Sequence, residues 1–272
     1  MTTIKFNLAS AGYCEANQSH ALRNESSRTI KFYATYAHLE HPIHGHILFD
    51  TGYSRRFYEH TRKLPFSIYA KITKVYIKEK EEAVYTLKKK GIDPIDIKFI
   101  IISHFHADHI GGLRDFPNAK FICSKIAYRD IKHRRGYQAL KRGFIPNLMP
   151  DNFESRTKFL SFDSIHQKLE NLGPFIDLFG DKSILIIQFD GHAKGQIGAL
   201  VNAPNKTLLI SDAAWQKENY VNLHLPNPIV RLFFDSWKDY KKNLNKIHKY
   251  HKENPKTIII PCHCEQTYRE IT

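Results

Sequence analysis

The chain has 272 residues, 42% of them hydrophobic, and a formal net charge of +14. That length and apolar content support a sizeable core, and four scattered cysteines (14, 123, 262 and 264) offer no disulfide framework. No apolar run approaches the roughly 18–20 residues of a membrane span, and the opening MTTIKFNLASAGYC lacks the features of a signal peptide, so a reduced, cytoplasmic protein is expected.

The first third is strand-like. TIKFNLA (3–9), TIKFYATYAHL (29–39) and GHILFD (45–50) mix β-branched, aromatic and alternating residues, and Asp50-Thr51-Gly52 marks a turn. His38, His41, His44 and His46 fall within nine residues, but Pro42 and Gly45 make this a hairpin turn carrying surface histidines. Residues 55–78 (RRFYEHTRKLPFSIYAKITKVYIK) interleave aromatic and basic side chains. An ordinary, partly buried helix is expected there, with a membrane-surface or dimer-forming segment, or part of an acyl-chain pocket, as the alternatives. Residues 79–90 (EKEEAVYTLKKK) form a helix with Glu in its first turn and Lys in its last, which complements the helix dipole, and Gly91 stops it.

IKFIIIS (97–103) is a buried strand, and so long an apolar run means that both faces are covered. AKFICS (119–124) is its neighbour. Residues 124–180 are less regular, with Gly136, Gly143, Pro146, Pro150, Gly173 and Pro174; two helices with long connections are expected, as an insertion laid over the scaffold. Strands resume at SILIIQF (183–189), QIGALVN (196–202) and TLLIS (207–211). Phe233, Trp237, Tyr240, Leu244 and Ile247 then recur at spacings of three and four, the apolar stripe of a helix with Asp235 as N-cap and Pro255 just beyond its end. TIIIP (257–261) is the last strand and runs into Cys262-His263-Cys264, where alternation aims both cysteines away from the histidine. No linker or repeat divides residues 1–272, so one α/β domain is expected, with helices outside two packed sheets.

Three stretches carry the positive charge. Residues 54–80 hold eight Lys/Arg against two Glu, 128–142 hold six against one Asp, and 238–256 hold seven against two acids. Solvated helix faces account for such runs. Nucleic acid is a weak candidate partner because no binding motif accompanies the charge; a membrane surface and anionic substrates stay open.

The chemistry concentrates in SHFHADHIGG (103–112). His104, His106, Asp108 and His109 follow a buried strand, and four such groups in six positions are hard to satisfy in a core except through a shared metal. Imidazole and carboxylate donors suit zinc first, then manganese or iron(II).

His-x-His-x-Asp-His after a buried strand resembles the metallo-β-lactamase superfamily. The other elements of that family occur in order: His192 in DGHAKGQIG, Asp212 in LLISDAA and His263 after TIIIP, each following an expected strand. The resemblance implies a four-layer αββα sandwich with two divalent metal ions at one rim. His104, His106 and His192 would hold one ion and Asp108, His109 and His263 the other, with Asp212 bridging. Asp108 and Asp212 would be the catalytic carboxylates, and Asp50 would orient a ligand histidine. An aspartate at the bridging position argues against β-lactam hydrolysis, where some members carry cysteine.

Within the superfamily, SDAAWQKENY (211–220) and HCEQ (263–266) resemble the N-acyl homoserine lactonases. The implied activity is opening of the ester ring of a lactone, as in quorum quenching, with residues 124–180 covering the substrate. Those lactonases place a tyrosine three residues after the bridging aspartate; here Trp215 stands there, and indole donates a hydrogen bond but no proton at neutral pH. Tyr220 is close in sequence. Phe66, Tyr69, Phe144, Leu148 and Trp215 are the candidates for an apolar substrate wall. A phosphodiesterase or nuclease, a thioester or other ester hydrolase, and a non-catalytic binding module stabilised by metal are the alternatives; a homodimer is compatible with each.

Overall fold

The computed structural model describes residues 2–272. Its first sheet is built from β1 (Lys5–Asn17), β2 (Thr29–His41), β3 (Gly45–Phe49), β4 (Lys74–Tyr76), β5 (Ile97–Ile102), β6 (Lys120–Ser124) and β7 (Thr157–Leu160), in the order β4-β1-β2-β3-β5-β6-β7. Its second holds β8 (Lys168–Leu169), β9 (Gly173–Asp177), β10 (Ile184–Gln188), β11 (Ile197–Val201), β12 (Thr207–Ser211) and β13 (Ile258–Pro261), in the order β13-β12-β11-β10-β9-β8.

The continuous apolar strands explain the layering. Along β5, Ile101 faces the space between the sheets, whereas Ile100 and Ile102 face outward with Leu87, Phe57 and Ala127 of the covering helices. Along β10, Ile184 and Ile186 join Ile101 between the sheets, while Leu185 and Ile187 lie under the long helix Trp237–Glu253. A strand buried on both faces has no polar alternation to show. Each such isoleucine contributes roughly 1.5–3 kcal/mol by leaving water. The result is the four-layer αββα arrangement.

Several boundaries differ from expectation for local reasons. β1 runs on to Asn17 past a register shift between Ser10 and Tyr13 that breaks the alternation. Residues 55–78 form two short helices, Arg56–His60 and Ser67–Ile72, followed by β4. The acidic residues 79–81 make a separate 3-10 turn, and the α-helix begins only at Ala83, because extended Glu82 turns its carboxylate back to the Arg55 amide (3.2 Å) and guanidinium (2.9 Å). Residues 124–180 contain the two expected helices, Lys125–Ile131 and Gly136–Leu140, but the later part supplies edge strands to both sheets rather than lying over them.

The last long helix spans Trp237–Glu253 and buries Tyr240, Leu244, Ile247 and Tyr250. Its cap is Ser236, whose hydroxyl accepts from the Asp239 amide, not Asp235, whose carboxylate is 2.8 Å from Arg142. Phe233 falls outside the helix, 58% exposed, on the 3-10 segment Pro228–Phe233. The hairpin histidines are also corrected: His38 and His41 are buried. His41 Nδ1 accepts the turn amides of Ile43 and His44, and its Nε2 meets Asp181 at 3.0 Å and Ser183 at 3.2 Å. No described helix is long and apolar enough to cross a membrane.

Candidate metal centre

The candidate ligands gather at one rim of the sheets, four of them just after strands. His104 follows β5, His192 follows β10, Asp212 directly follows β12, and His263 follows β13 by one residue. His109 lies on the short helix Ala107–Ile110 and His106 caps that helix. Two groups of four result, His104/His106/His192/Asp212 and His109/Asp212/Cys262/His263, with ligand atoms within 4.8 Å of one another in each group. Asp212 belongs to both.

The contacts converge on this carboxylate. His192 Nε2 is 3.2 Å and His263 Nε2 3.1 Å from Asp212 Oδ2, and His109 Nε2 is 3.5 Å from Oδ1. Asp108 Oδ2 lies 3.4 Å from His263 Nε2 and 3.7 Å from His109 Nε2. His192 Nε2 and His106 Nδ1 approach to 3.0 Å. Meanwhile His104 Nε2, His109 Nε2 and Asp212 Oδ1 are buried without a hydrogen-bond partner among the described residues. Buried polar atoms normally find partners, and several orphans facing one point call for something to fill it. These donors fit two divalent ions.

The distal ring nitrogens are anchored, which aims the others inward. His109 Nδ1 is held by Asp50 Oδ2 at 2.8 Å, His104 Nδ1 faces Ser103 Oγ at 3.0 Å, and His263 Nδ1 donates to the Tyr33 carbonyl at 2.8 Å. Ser103 ties the network together: its amide and hydroxyl both donate to Asp50, and Ser211 Oγ donates to Ser103 Oγ at 2.8 Å. Asp50 (φ 60°) and Ser211 (φ 49°) are held in the left-handed region, where a non-glycine residue stores strain.

Charge divides the histidines. Burial, reinforced by neighbouring histidines, pushes His104 well below the usual imidazole value; burial likewise lowers His106 and takes His192 down to about 3. For His109 burial opposes the charge, yet Asp108, Cys262, Asp50 and Asp212 raise it well above. For His263 burial is again outweighed, chiefly by Asp212. Asp212, despite burial, is held well below the carboxylate range by His263, His192 and His109. A metal bound there would compete with protons for these groups.

Glycines let the loops close. A Cβ at Gly111 would sit 2.6 Å from the Gly52 carbonyl, and one at Gly191 (φ +131°) would sit 2.2 Å from the Tyr240 amide nitrogen. At Gly143 (φ +59°) it would lie 2.8 Å from His106 Cδ2, and the Gly143 carbonyl accepts from the Ala107 amide, so this loop pins a candidate ligand.

The sequence model of the metallo-beta-lactamase superfamily matches residues 39–253. The chain belongs to this superfamily. Among curated relatives, it is 28% identical over 179 residues to the N-acyl homoserine lactonase AttM of Rhizobium radiobacter, covering 64% of this chain and 60% of that protein. It is 25% identical over 228 residues to an N-acyl homoserine lactonase of Bacillus cereus, covering 81% and 80%. The match to AttM therefore spans less than two thirds of that relative. The solved structure of an N-acyl homoserine lactone hydrolase, with its product N-hexanoyl-L-homoserine at the catalytic metal center, superposes with a TM-score of 0.76 at 20% identity, covering 100% of this chain and 98% of that one. At that identity the likeness shows the metallo-beta-lactamase fold.

Against this superfamily frame, the proposed substrate wall is divided. Phe66, Tyr69 and Trp215 are partly exposed on the apolar cluster beside the centre, but Phe144 and Leu148 are closed into it and cannot line an open wall. Trp215 Nε1 donates to Asp212 Oδ2 at 3.2 Å, and its ring stands edge-on to His192. Tyr220 is buried with its hydroxyl on the Ile259 carbonyl, away from the centre. Burial, and then the charge of Asp108, raises the Tyr69 hydroxyl well above the usual phenol value. Cys262, expected to pack rather than ligate, is buried, and its sulfur also lies within 4.8 Å of ligand atoms of the second group. Ser103, Ser211 and Gly143 were missed, and apart from the contiguity of Ser103 with His104 no sequence signal marks them.

Proposed function

We propose that this protein is a dinuclear metal-dependent hydrolase that opens the ester ring of a lactone, with N-acyl homoserine lactones as the first candidates. The observation that carries the reading is the pair of four-residue groups sharing Asp212. His104, His106 and His192 would hold one ion, and Asp108, His109 and His263 the other, with Asp212 between them; zinc suits the set best, with manganese and iron next. Ions there would supply Lewis acidity, lowering the pKa of water and polarising an ester carbonyl.

The protein's own groups do the rest. Asp50 and Ser103 hold the rings of His109 and His104 in register. Trp215 fixes one oxygen of Asp212. Asp108, whose side chain is 11% exposed, is the most accessible carboxylate of the centre. It would take the proton of the attacking water and pass it to the leaving ring oxygen. One acyl C–O bond forms, one breaks, and the product is the hydroxy acid. Phe66 and Tyr69 offer apolar surface for an acyl chain. Lactonase relatives and the product-bound structural neighbour support this substrate class.

One observation favours a second reading. The groove past His104, His106 and His192 also carries Lys141 and Lys194, beside an Asp130 that pairs with Arg142, and the two lysines suit an anionic substrate such as a phosphodiester. A single panel decides: metal-loaded protein with short- and long-chain N-acyl homoserine lactones, a thioester and a simple phosphodiester, followed by mass. Ring opening, a gain of one water absent with His106→Ala, supports the lactonase. Phosphodiester cleavage without ring opening rejects it.

A further inference from the structure

Three of the four cysteines have an ordinary structural place. Cys14 and Cys123 belong to the apolar cluster under the first sheet's helices, and Cys264 caps the last helix by accepting from the Thr267 amide. Cys262 belongs to none of the three apolar clusters, although it is 4% exposed.

It sits next to an irregularity in the sheet. β12 and β13 pair in parallel through Leu209 and Ile260, and then the register slips so that Ser211 faces Pro261. Ser211 adopts φ 49°, and its carbonyl receives the Cys262 amide at 3.2 Å. The extra residue of this slip lies on β12, and Cys262, just past β13, shares the space beside Ile260 and Leu209. The sulfur comes to lie within 4.8 Å of a ligand atom from each of His109, Asp212 and His263. Its other neighbours are weak: Thr35 Oγ1 at 3.5 Å and the Thr35 carbonyl at 3.6 Å. In the same group, His109 Nε2 and Asp212 Oδ1 are buried and unpartnered. Asp108, with its more exposed side chain, is in neither compact group.

We propose that Cys262 is a ligand of the ion held by His109, His263 and Asp212, which makes the two sites chemically unlike. One would offer three imidazoles and a carboxylate; the other would add a sulfur, with Asp108 joining it. This rests on the metal-centre reading above. Zinc–nitrogen and zinc–sulfur bonds of about 2.0–2.3 Å would bring neighbouring ligand atoms to roughly 3–4 Å of one another, so a contraction of about 1 Å would complete the set. The thiol releases its proton to solvent as the sulfur–metal bond forms. A thiolate selects zinc or cobalt over manganese, so the second site should be the more selective.

Cobalt(II) reports such a ligand independently of catalysis. The full chain is stripped with chelator and titrated with cobalt, following visible d–d bands and the near-ultraviolet sulfur-to-cobalt charge-transfer band. The inference predicts a charge-transfer band that is lost in Cys262→Ser and retained in Cys264→Ser, with the visible bands of the other site persisting. As a second measurement that needs no variant, bound zinc should protect Cys262 of the wild-type chain from alkylation, mapped by mass. Visible bands without charge transfer, or a band that survives Cys262→Ser, overturn the ligand assignment while leaving the metal centre standing. No cobalt bands of either kind overturn the metal-centre reading and this inference with it.

Discussion

Gly143→Ala tests whether the loop 136–144 positions the metal ligands. The new Cβ would sit 2.8 Å from His106 Cδ2 and 3.1 Å from its Nε2. Ordinary contact begins near 3.4 Å, so the ring or the loop must yield by about 0.6 Å (3.4 less 2.8). Alanine at φ +59° adds backbone strain of about 1–2 kcal/mol. Gly136 separates the two effects: its φ is +53°, but nothing lies within 4 Å of its Cβ position. Both variants should therefore lose stability in a urea titration, Gly143→Ala the more because it carries the clash as well as the strain. Only Gly143→Ala should also lose metal, because a ligand displaced by a good fraction of an ångström no longer matches its partners. Misplacement on that scale costs roughly 10- to 100-fold in rate. Metal content, urea midpoint and turnover are measured together on both variants and wild type. If Gly143→Ala holds metal and turns over as Gly136→Ala does, the loop does not position His106.

Two further outcomes follow from the buried network and from the distant histidines. Asp50→Asn keeps a residue type that tolerates a positive φ but removes the charge on His109 Nδ1. Metal affinity should fall about 10- to 100-fold, measured by competition with a chromophoric chelator, with the fold unchanged by circular dichroism; unchanged affinity would show that Asp50 serves only the turn. Burial, then His46 and Lys90, takes His38 down to about 4. Its unfolded value is near 6.5, so the unfolded chain binds more protons between those limits and stability falls as pH drops through them. His38→Gln should make urea midpoints less dependent on pH across that window; an identical slope would remove His38 from the acid response.

The legible part of the site was the part whose chemistry is rare. His104, His106, Asp108 and His109 stand in six consecutive positions, and no apolar core accommodates such a set unaided, so the metal reading needed no coordinates. The layering was also readable, because an unbroken run such as Ile100–Ile102 must be covered on both faces. What was hidden depends on partners distant in sequence or on small departures from regularity. His41 looked like a surface residue, and only Asp181 and Ser183, about 140 positions later, make its burial affordable. Ser103 and Ser211 are ordinary residues until they meet each other between the strands. Cys262 comes near His109 and Asp212 only through the packing of segments distant in sequence. Ser236 outcompetes Asp235 as the helix cap because Arg142 already holds that carboxylate.

The most direct test of the central claim is metal counting on three proteins: wild type, His106→Ala and Asp212→Ala, each stripped, reloaded with zinc and desalted. Seven side chains around one shared carboxylate predict two zinc ions per wild-type chain. His106→Ala should keep the ion of the His109 group and lose the other, and Asp212→Ala, which removes a ligand common to both groups, should weaken both while circular dichroism stays native. A folded wild-type protein that retains no zinc, or an Asp212→Ala protein that binds two ions as tightly as wild type, would contradict the account.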